Sequence, residues 1–271
     1  MKALFFRINF YIYKMKFSCF LWLYLFVGVI YGQEYEKKRY IKKRDTLPYR
    51  LLLPDNYNPK KSYPLLIFLH GAGERGRDND KQLTHGSNLY TSDNFRKKYP
   101  AIIVFPQCPE NSYWASVLKN RSEKLEKRFK FKKRLNTFRT QELLELFLYD
   151  LEKLYHIDSS KRYLGGLSMG GMGTFELVTR MPDYFAAAFA ICGGGNPAWS
   201  KTLRKTPFWI FHGDNDNVVS YRFSKRMFRK MKRFNKATRF TCYKGVSHNS
   251  WRKAFKDPEL LHWIFSFKRP L

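Results

Sequence analysis

The chain has 271 residues, with 51 Lys and Arg against 22 Asp and Glu, so its formal charge is +29. With 44% apolar and 18% aromatic residues it is too hydrophobic for a disordered polybasic chain and carries enough apolar side chain for a sizeable core. Gly and Pro are ordinary in number and no internal repeat stands out, which excludes collagen-like, low-complexity and solenoid architectures.

Along the chain, Phe17 to Tyr31 is apolar and uncharged, about the length of a signal-peptide core, and Met15-Lys16 before it forms a short positive n-region. We expect a secretory signal starting at Met15, with cleavage near Gly32/Gln33 and a secreted or periplasmic product that does not stay inserted in a membrane. A retained anchor would need about 20 apolar residues. Cys19 lies inside the apolar stretch with no small residue pair before it, which argues against a lipoprotein. Loss of residues 1–32 removes Lys2, Arg7, Lys14 and Lys16 and leaves a charge of +25. Cys108, Cys192 and Cys242 then remain, at no spacing that suggests a metal site; one disulfide is possible, between partners that sequence does not choose.

Residues 36–53 predict two antiparallel strands. Pro64 to Leu69 is a short continuous apolar run, the pattern of a strand buried on both faces, and Ala101 to Phe105 is a second, stopped by Pro106. A helix over 140–156 is predicted by the stripe Leu143, Leu144, Phe147, Leu148, Leu151, Leu154 and Tyr155. Arg162 to Leu167 reads as a strand, Met169 to Arg180 as a helix, and 185–191 and 208–211 as further strands. A helix follows over 221–235, with Phe223, Met227, Phe228, Met231 and Phe234 on one face, then a strand at 239–243 and a last helix at 258–267. Strands alternating with helices imply an α/β fold with a mostly parallel twisted sheet covered on both faces, and residues 33–271 show no linker that would divide them.

Gly166-Leu-Ser168-Met-Gly170 matches G-x-S-x-G where a strand gives way to a helix. A serine there occupies a sharp turn that pushes its hydroxyl clear of the sheet, and the flanking glycines let neighbouring backbone pass. The N–H of Met169 then faces a developing oxyanion. A serine hydroxyl needs an adjacent base, and for this motif an acid and then a histidine follow in the chain. His248, in Gly245-Val-Ser-His-Asn-Ser-Trp251, lies beyond a strand end and is the preferred base. His212 is the competitor, read as a structural loop residue; His262 reads as a half-buried packing residue, and chain order disfavours His85 and His156. In His212-Gly-Asp-Asn-Asp216, Asp216 is favoured as the acid over Asp214 because its loop position lets it turn back toward the base; turn chemistry alone would also explain both.

His70-Gly-Ala-Gly-Glu-Arg-Gly76, Gly166-Leu-Ser-Met-Gly-Gly171 and the two downstream motifs, in this order, resemble secreted α/β-hydrolases, in particular the carboxylesterase/phospholipase-like and polyhydroxybutyrate-depolymerase-like esterases. The resemblance runs from about Tyr49 to Phe267 and implies an α/β-hydrolase fold and a serine esterase. It makes Ser168 the nucleophile, Asp216 the orienting acid and His248 the base, with no metal or organic cofactor. It gives the second oxyanion donor to Ala72 rather than Gly71, and places His70, Gly71 and Trp114 against the substrate. Trp114 reads equally well as simple packing. Glu74, Arg75 and Asp78 then sit beside the pocket, more as loop-ordering ion pairs than as substrate contacts.

One departure is the segment 119–139, which reads as a basic cap insertion with ten Lys or Arg and two Glu. A second basic surface is the outer face of the 221–235 helix. A solvated basic face is the favoured reading of both; an acidic polymer or an anionic lipid surface is the sharper one. Nucleic acid is the poorer reading, because no recognition motif accompanies the charge and export is expected, so no nucleic-acid partner is expected. An ester substrate, small or polysaccharide-linked, is the expected ligand. A peptidase or amidase, an acyltransferase, or a non-catalytic binding protein on the same scaffold are the alternatives.

Overall fold

A computed structural model describes residues 34–135 and 139–270. The signal segment read at 17–31, and Cys19 within it, lie outside the described residues. The residues from Tyr35 onward form one unit. Ten strands are present among the described residues: β1 (Glu36–Lys42), β2 (Asp45–Leu52), β3 (Tyr63–Leu69), β4 (Ile102–Pro106), β5 (Val117–Lys119), β6 (Phe129–Phe131), β7 (Ile157–Leu167), β8 (Ala187–Ile191), β9 (Phe208–Gly213) and β10 (Arg239–Tyr243). Eight of them make one sheet in the order β1-β2-β4-β3-β7-β8-β9-β10. β2 runs antiparallel to both its neighbours, and every pairing from β4 to β10 is parallel.

Alternation along the central strands feeds two cores. Leu65, Ile67 and Leu69 of β3 and Ile102 and Val104 of β4 point to one face; Leu66, Phe68, Ile103 and Phe105 point to the other. The helices are α1 (Ser87–Thr91), α2 (Asp93–Lys98), α3 (Arg139–Leu154), α4 (Met169–Arg180), α5 (Tyr221–Met231), α6 (Trp251–Ala254) and α7 (Leu260–Phe265). The first face takes apolar side chains from α3, α4 and α5, and the second from α1, α2, α6 and α7. Both faces of the parallel sheet are thereby covered, which is why its strands read as continuous apolar runs.

Three helical expectations are trimmed. The stripe of α3 is buried through Leu151, but Leu154 is 68% exposed and Tyr155 lies past the helix end. α5 stops at Met231, so Phe234 falls outside it and is exposed. The last helix is shorter than 258–267, and His262 faces solvent rather than packing, because Leu260, Trp263 and Ile264 supply the buried face. Cys108, Cys192 and Cys242 are all free thiols.

The segment 119–139 takes part in four elements. β5 and β6 pair as a separate antiparallel ribbon, with a 3-10 turn at Leu125–Lys127 between them. Phe129 anchors the ribbon by packing edge-on against Phe223 of α5. Arg139 belongs to α3 instead.

Candidate active site

β7 delivers Ser168 at its C-terminal end, and α4 begins at the next residue. Ser168 has φ 52° and ψ −114°, a left-handed conformation that a residue with a Cβ adopts only under strain. Two close approaches explain why glycines flank it. A Cβ on Gly166 would lie 2.4 Å from the carbonyl oxygen of Gly170, and one on Gly170 would lie 1.9 Å from that of Leu69. The sharp turn therefore fits only if β3, β7 and the first turn of α4 touch backbone to backbone.

The Ser168 hydroxyl lies 2.9 Å from His248 Nε2, and His248 Nδ1 lies 2.7 Å from Asp216 Oδ2. The loop after β10 carries the histidine and the loop after β9 carries the aspartate. The two loops are tied together, since Asn215 N–H donates to the Val246 carbonyl and Gly245 N–H donates to Asp214 Oδ1. Asp214 is thus an exposed loop fastener, while Asp216 is buried and faces the imidazole.

Asp216 is surrounded by donors. Its Oδ1 accepts from the N–H groups of Val218 and Val219, at 2.8 and 2.9 Å. Its Oδ2 accepts from His248 and, at 3.1 Å, from His212 Nε2. Burial on its own would raise the carboxyl pKa, but hydrogen bonds from His212 and His248 and the backbone N–H of Val219 outweigh it and hold the group well below the usual carboxylate range. His212 is fully buried and also donates from Nε2 to the Val219 carbonyl, so it braces the Asp216 carboxylate and does not reach Ser168 in place of His248.

The pocket beside Ser168 has a volume of about 180 Å³. Gly71, Ala72 and Glu74 line it together with Tyr113, Lys119, Phe129, Val218, His248 and Trp251. The N–H of Met169 opens α4 and that of Ala72 opens the 3-10 turn Ala72–Glu74; neither has a hydrogen-bond partner among the described residues. A Cβ on Gly71 would lie 3.7 Å from Ser168 Cβ, so the two loops are in contact.

Two expected substrate contacts are corrected. Trp114 is 1% exposed and does not line the pocket; it packs beneath α4 against Gly173 and the His70 ring. His70 is buried as well. Its Nε2 accepts from the N–H of Cys108 at 2.9 Å and its Nδ1 donates to the Gly71 carbonyl, which ties the loop after β3 to the loop after β4. Burial lowers the His70 pKa to about 4, and its acceptor role requires the neutral ring. Gly71 does line the pocket. Arg75 donates to the carbonyls of Ala72, Glu110 and Ser112, and Asp78 accepts from the N–H groups of Asp80 and Lys81, so both order the loop.

Sequence reasoning assigned no role to His85, Tyr113, Phe129 or Trp251. The His85 and Trp251 rings lie 5.1 Å apart, and Trp251 meets the His248 ring edge-on at 5.5 Å. Trp251 was within reach, standing three residues after the expected base. His85 and Tyr113 come from loops whose paths no local pattern encodes, and Phe129 comes from the short strand β6.

Residues 57–259 match the phospholipase/carboxylesterase family. The bifunctional acetylxylan esterase/xylanase of Neocallimastix patriciarum is 28% identical over 170 residues, covering 62% of this chain and 21% of that protein. Lysophospholipase-like protein 1 of Mus musculus is 26% identical over 212 residues, covering 74% of this chain and 85% of that one. Among solved structures, a thermostable esterase superposes with a TM-score of 0.78 at 31% identity, over 87% of this chain and 64% of its own. The chain thus spans about a fifth of the Neocallimastix protein and just under two thirds of the thermostable esterase. Sheet order, strained serine turn and family match agree: the chain belongs to the phospholipase/carboxylesterase family of α/β-hydrolases.

Proposed function

We propose that this protein is a serine esterase that cleaves short-chain carboxylic esters through an acyl-enzyme. The observation that carries this reading is the unbroken chain of hydrogen-bonding atoms from Ser168 Oγ through His248 to Asp216, at 2.9 and 2.7 Å, opening on a small pocket. His248 Nε2 takes the hydroxyl proton as Oγ attacks the ester carbonyl. Asp216 holds the tautomer with the proton on Nδ1 and stabilises the imidazolium. The N–H groups of Met169 and Ala72 receive the oxyanion; loss of one such donor costs about 3 to 4 kcal/mol in the barrier. When the tetrahedral adduct collapses, the ester C–O bond breaks and the alcohol leaves with the proton held by His248. Water, activated by the same imidazole, then attacks the acyl-serine and releases the acid.

The pocket volume supports a small acyl group, and the name of the Neocallimastix relative supports an ester on a polysaccharide. The apolar stretch at 17–31 supports export, with residues 33–271 as the mature enzyme. Fluorophosphonate labelling and a p-nitrophenyl ester panel test the reading. Labelling at Ser168 and turnover of acetate and butyrate esters are expected; an unlabelled protein inert to every ester would overturn it. N-terminal sequencing of exported protein is expected to begin near Gln33.

A further inference from the structure

We propose that the ester this enzyme cleaves is carried by an anionic polysaccharide, with a neutral acyl group in the pocket and the polymer's carboxylates along an arginine-lined groove next to it. This rests on the esterase reading and goes beyond it to the class of alcohol.

The groove has a volume of about 710 Å³, and two loops that line the catalytic pocket line the groove as well. In the loop after β3, Gly71 to Glu74 line the pocket while Gly76 and Arg77 line the groove. In the loop after β4, Ser112 faces the groove and Tyr113 faces the pocket. Arg39, Arg44, Arg77 and Arg139 reach the groove, and its one acid, Asp45, is already paired with Arg139. Arg39, Arg44 and Arg77 are exposed, and among the described residues none makes an ion pair or a side-chain hydrogen bond. Three unpartnered guanidinium forks along one groove suit successive carboxylates, which a fork binds with two parallel hydrogen bonds.

The same imbalance marks the pocket mouth. Lys119 stands there with no acid partner, and its pKa is lowered by burial and then by the positive charges of Arg121, Arg128 and Arg75. Arg128 donates to the carbonyl of Asn217, and its Nε is buried without a partner. These cations repel one another until an anion from outside arrives.

Glu74 fixes the polarity of the substrate. It lines the pocket itself, with Oε1 3.7 Å from His85 Nε2, so a negatively charged acyl group would meet a carboxylate. The negative charge therefore belongs to the alcohol side, outside the pocket. An anionic lipid fits less well, because a pocket of about 180 Å³ is smaller than the range of about 300–1,000 Å³ that encloses a drug-sized ligand and leaves no trench for a long acyl chain.

The test compares acetate release from acetylated polygalacturonate and from acetylated xylan of matched acetyl content, with p-nitrophenyl acetate as a third substrate. We expect kcat/KM on the anionic polymer to exceed that on xylan at least tenfold at low salt, and the excess to shrink severalfold by about 0.3 M NaCl as screening shortens. In the triple variant Arg39→Ala, Arg44→Ala, Arg77→Ala, the ratio of kcat/KM on the anionic polymer to that on p-nitrophenyl acetate should fall at least tenfold, carried by KM. Equal rates on the two polymers, a preference untouched by the triple variant, or ester cleavage confined to anionic lipid vesicles would overturn the proposal. Failure on p-nitrophenyl acetate as well as both polymers would mean that the esterase reading had failed and taken this one with it.

Discussion

The loops at the strand ends and the β5–β6 ribbon meet at the same pocket but are built in opposite ways. At the strand ends, Asp216 accepts four hydrogen bonds, His70 and His212 have both ring nitrogens engaged, and glycine contacts leave no slack around Ser168. The ribbon is two three-residue strands held by Phe129, with charges that mostly face solvent. The Ser168, His248 and Asp216 side chains are held where each has a fixed partner, and the ribbon is built so that its exposed side chains can change without disturbing them.

The comparison breaks if the strand-end loops tolerate change. Ser168→Ala should lower kcat by about 10⁶-fold, with the melting temperature preserved; esterase assays and thermal denaturation check both. Asp216→Asn should lower kcat by about 10⁴-fold because the wrong tautomer is held, whereas Asp214→Asn loosens a loop and should cost far less. Comparable losses in the two variants would reassign the acid. Below the elbow, buried Glu176 accepts from the N–H and hydroxyl of Ser116 and pairs with Arg180 at 2.7 Å. Glu176→Ala should destabilise by about 3–5 kcal/mol, since it takes the nearest carboxylate from a nearly buried guanidinium; urea titration reads this directly.

A pH experiment comes next in size. The native His70 pKa, about 4, lies below the unfolded value. The unfolded chain therefore binds the extra proton first as pH drops, and stability falls with pH. The contribution of the neutral ring is complete above about 6.5 and is lost toward pH 4, about 3 kcal/mol for one proton. Urea midpoints at pH 7 and pH 4.5 should show the loss, and His70→Gln should flatten the part of the slope that belongs to it. The smallest effect sharpens the other side. Lys124→Ala and Lys130→Ala, on exposed positions of the ribbon, should change stability by less than about 0.5 kcal/mol.

What could be read from the sequence follows the same division. The turn at Ser168 was legible because its glycines answer to contacts within one strand, one helix and one neighbouring strand. Asp216 could be separated from Asp214 because their places in one short loop differ. Trp114 and His70 were misjudged because the same residues serve equally as pocket wall or as packing, and only the path of the loops after β3 and β4 decides which. The far ends of α3 and α5 were overextended because Leu154 and Phe234 continue an apolar period into places where no partner surface exists. The short strands of the basic segment were hidden by their own charge, since three residues such as Phe129 to Phe131 carry too little alternation to register.

The backbone at Ser168 also bears on how this protein would respond to selection in the laboratory. The substitution Ser168→Gly would relax the left-handed turn at once. A library screened only for survival after heating should therefore enrich that substitution, and its best survivors would be catalytically dead. Any thermostabilisation campaign on this scaffold has to score turnover alongside heat resistance.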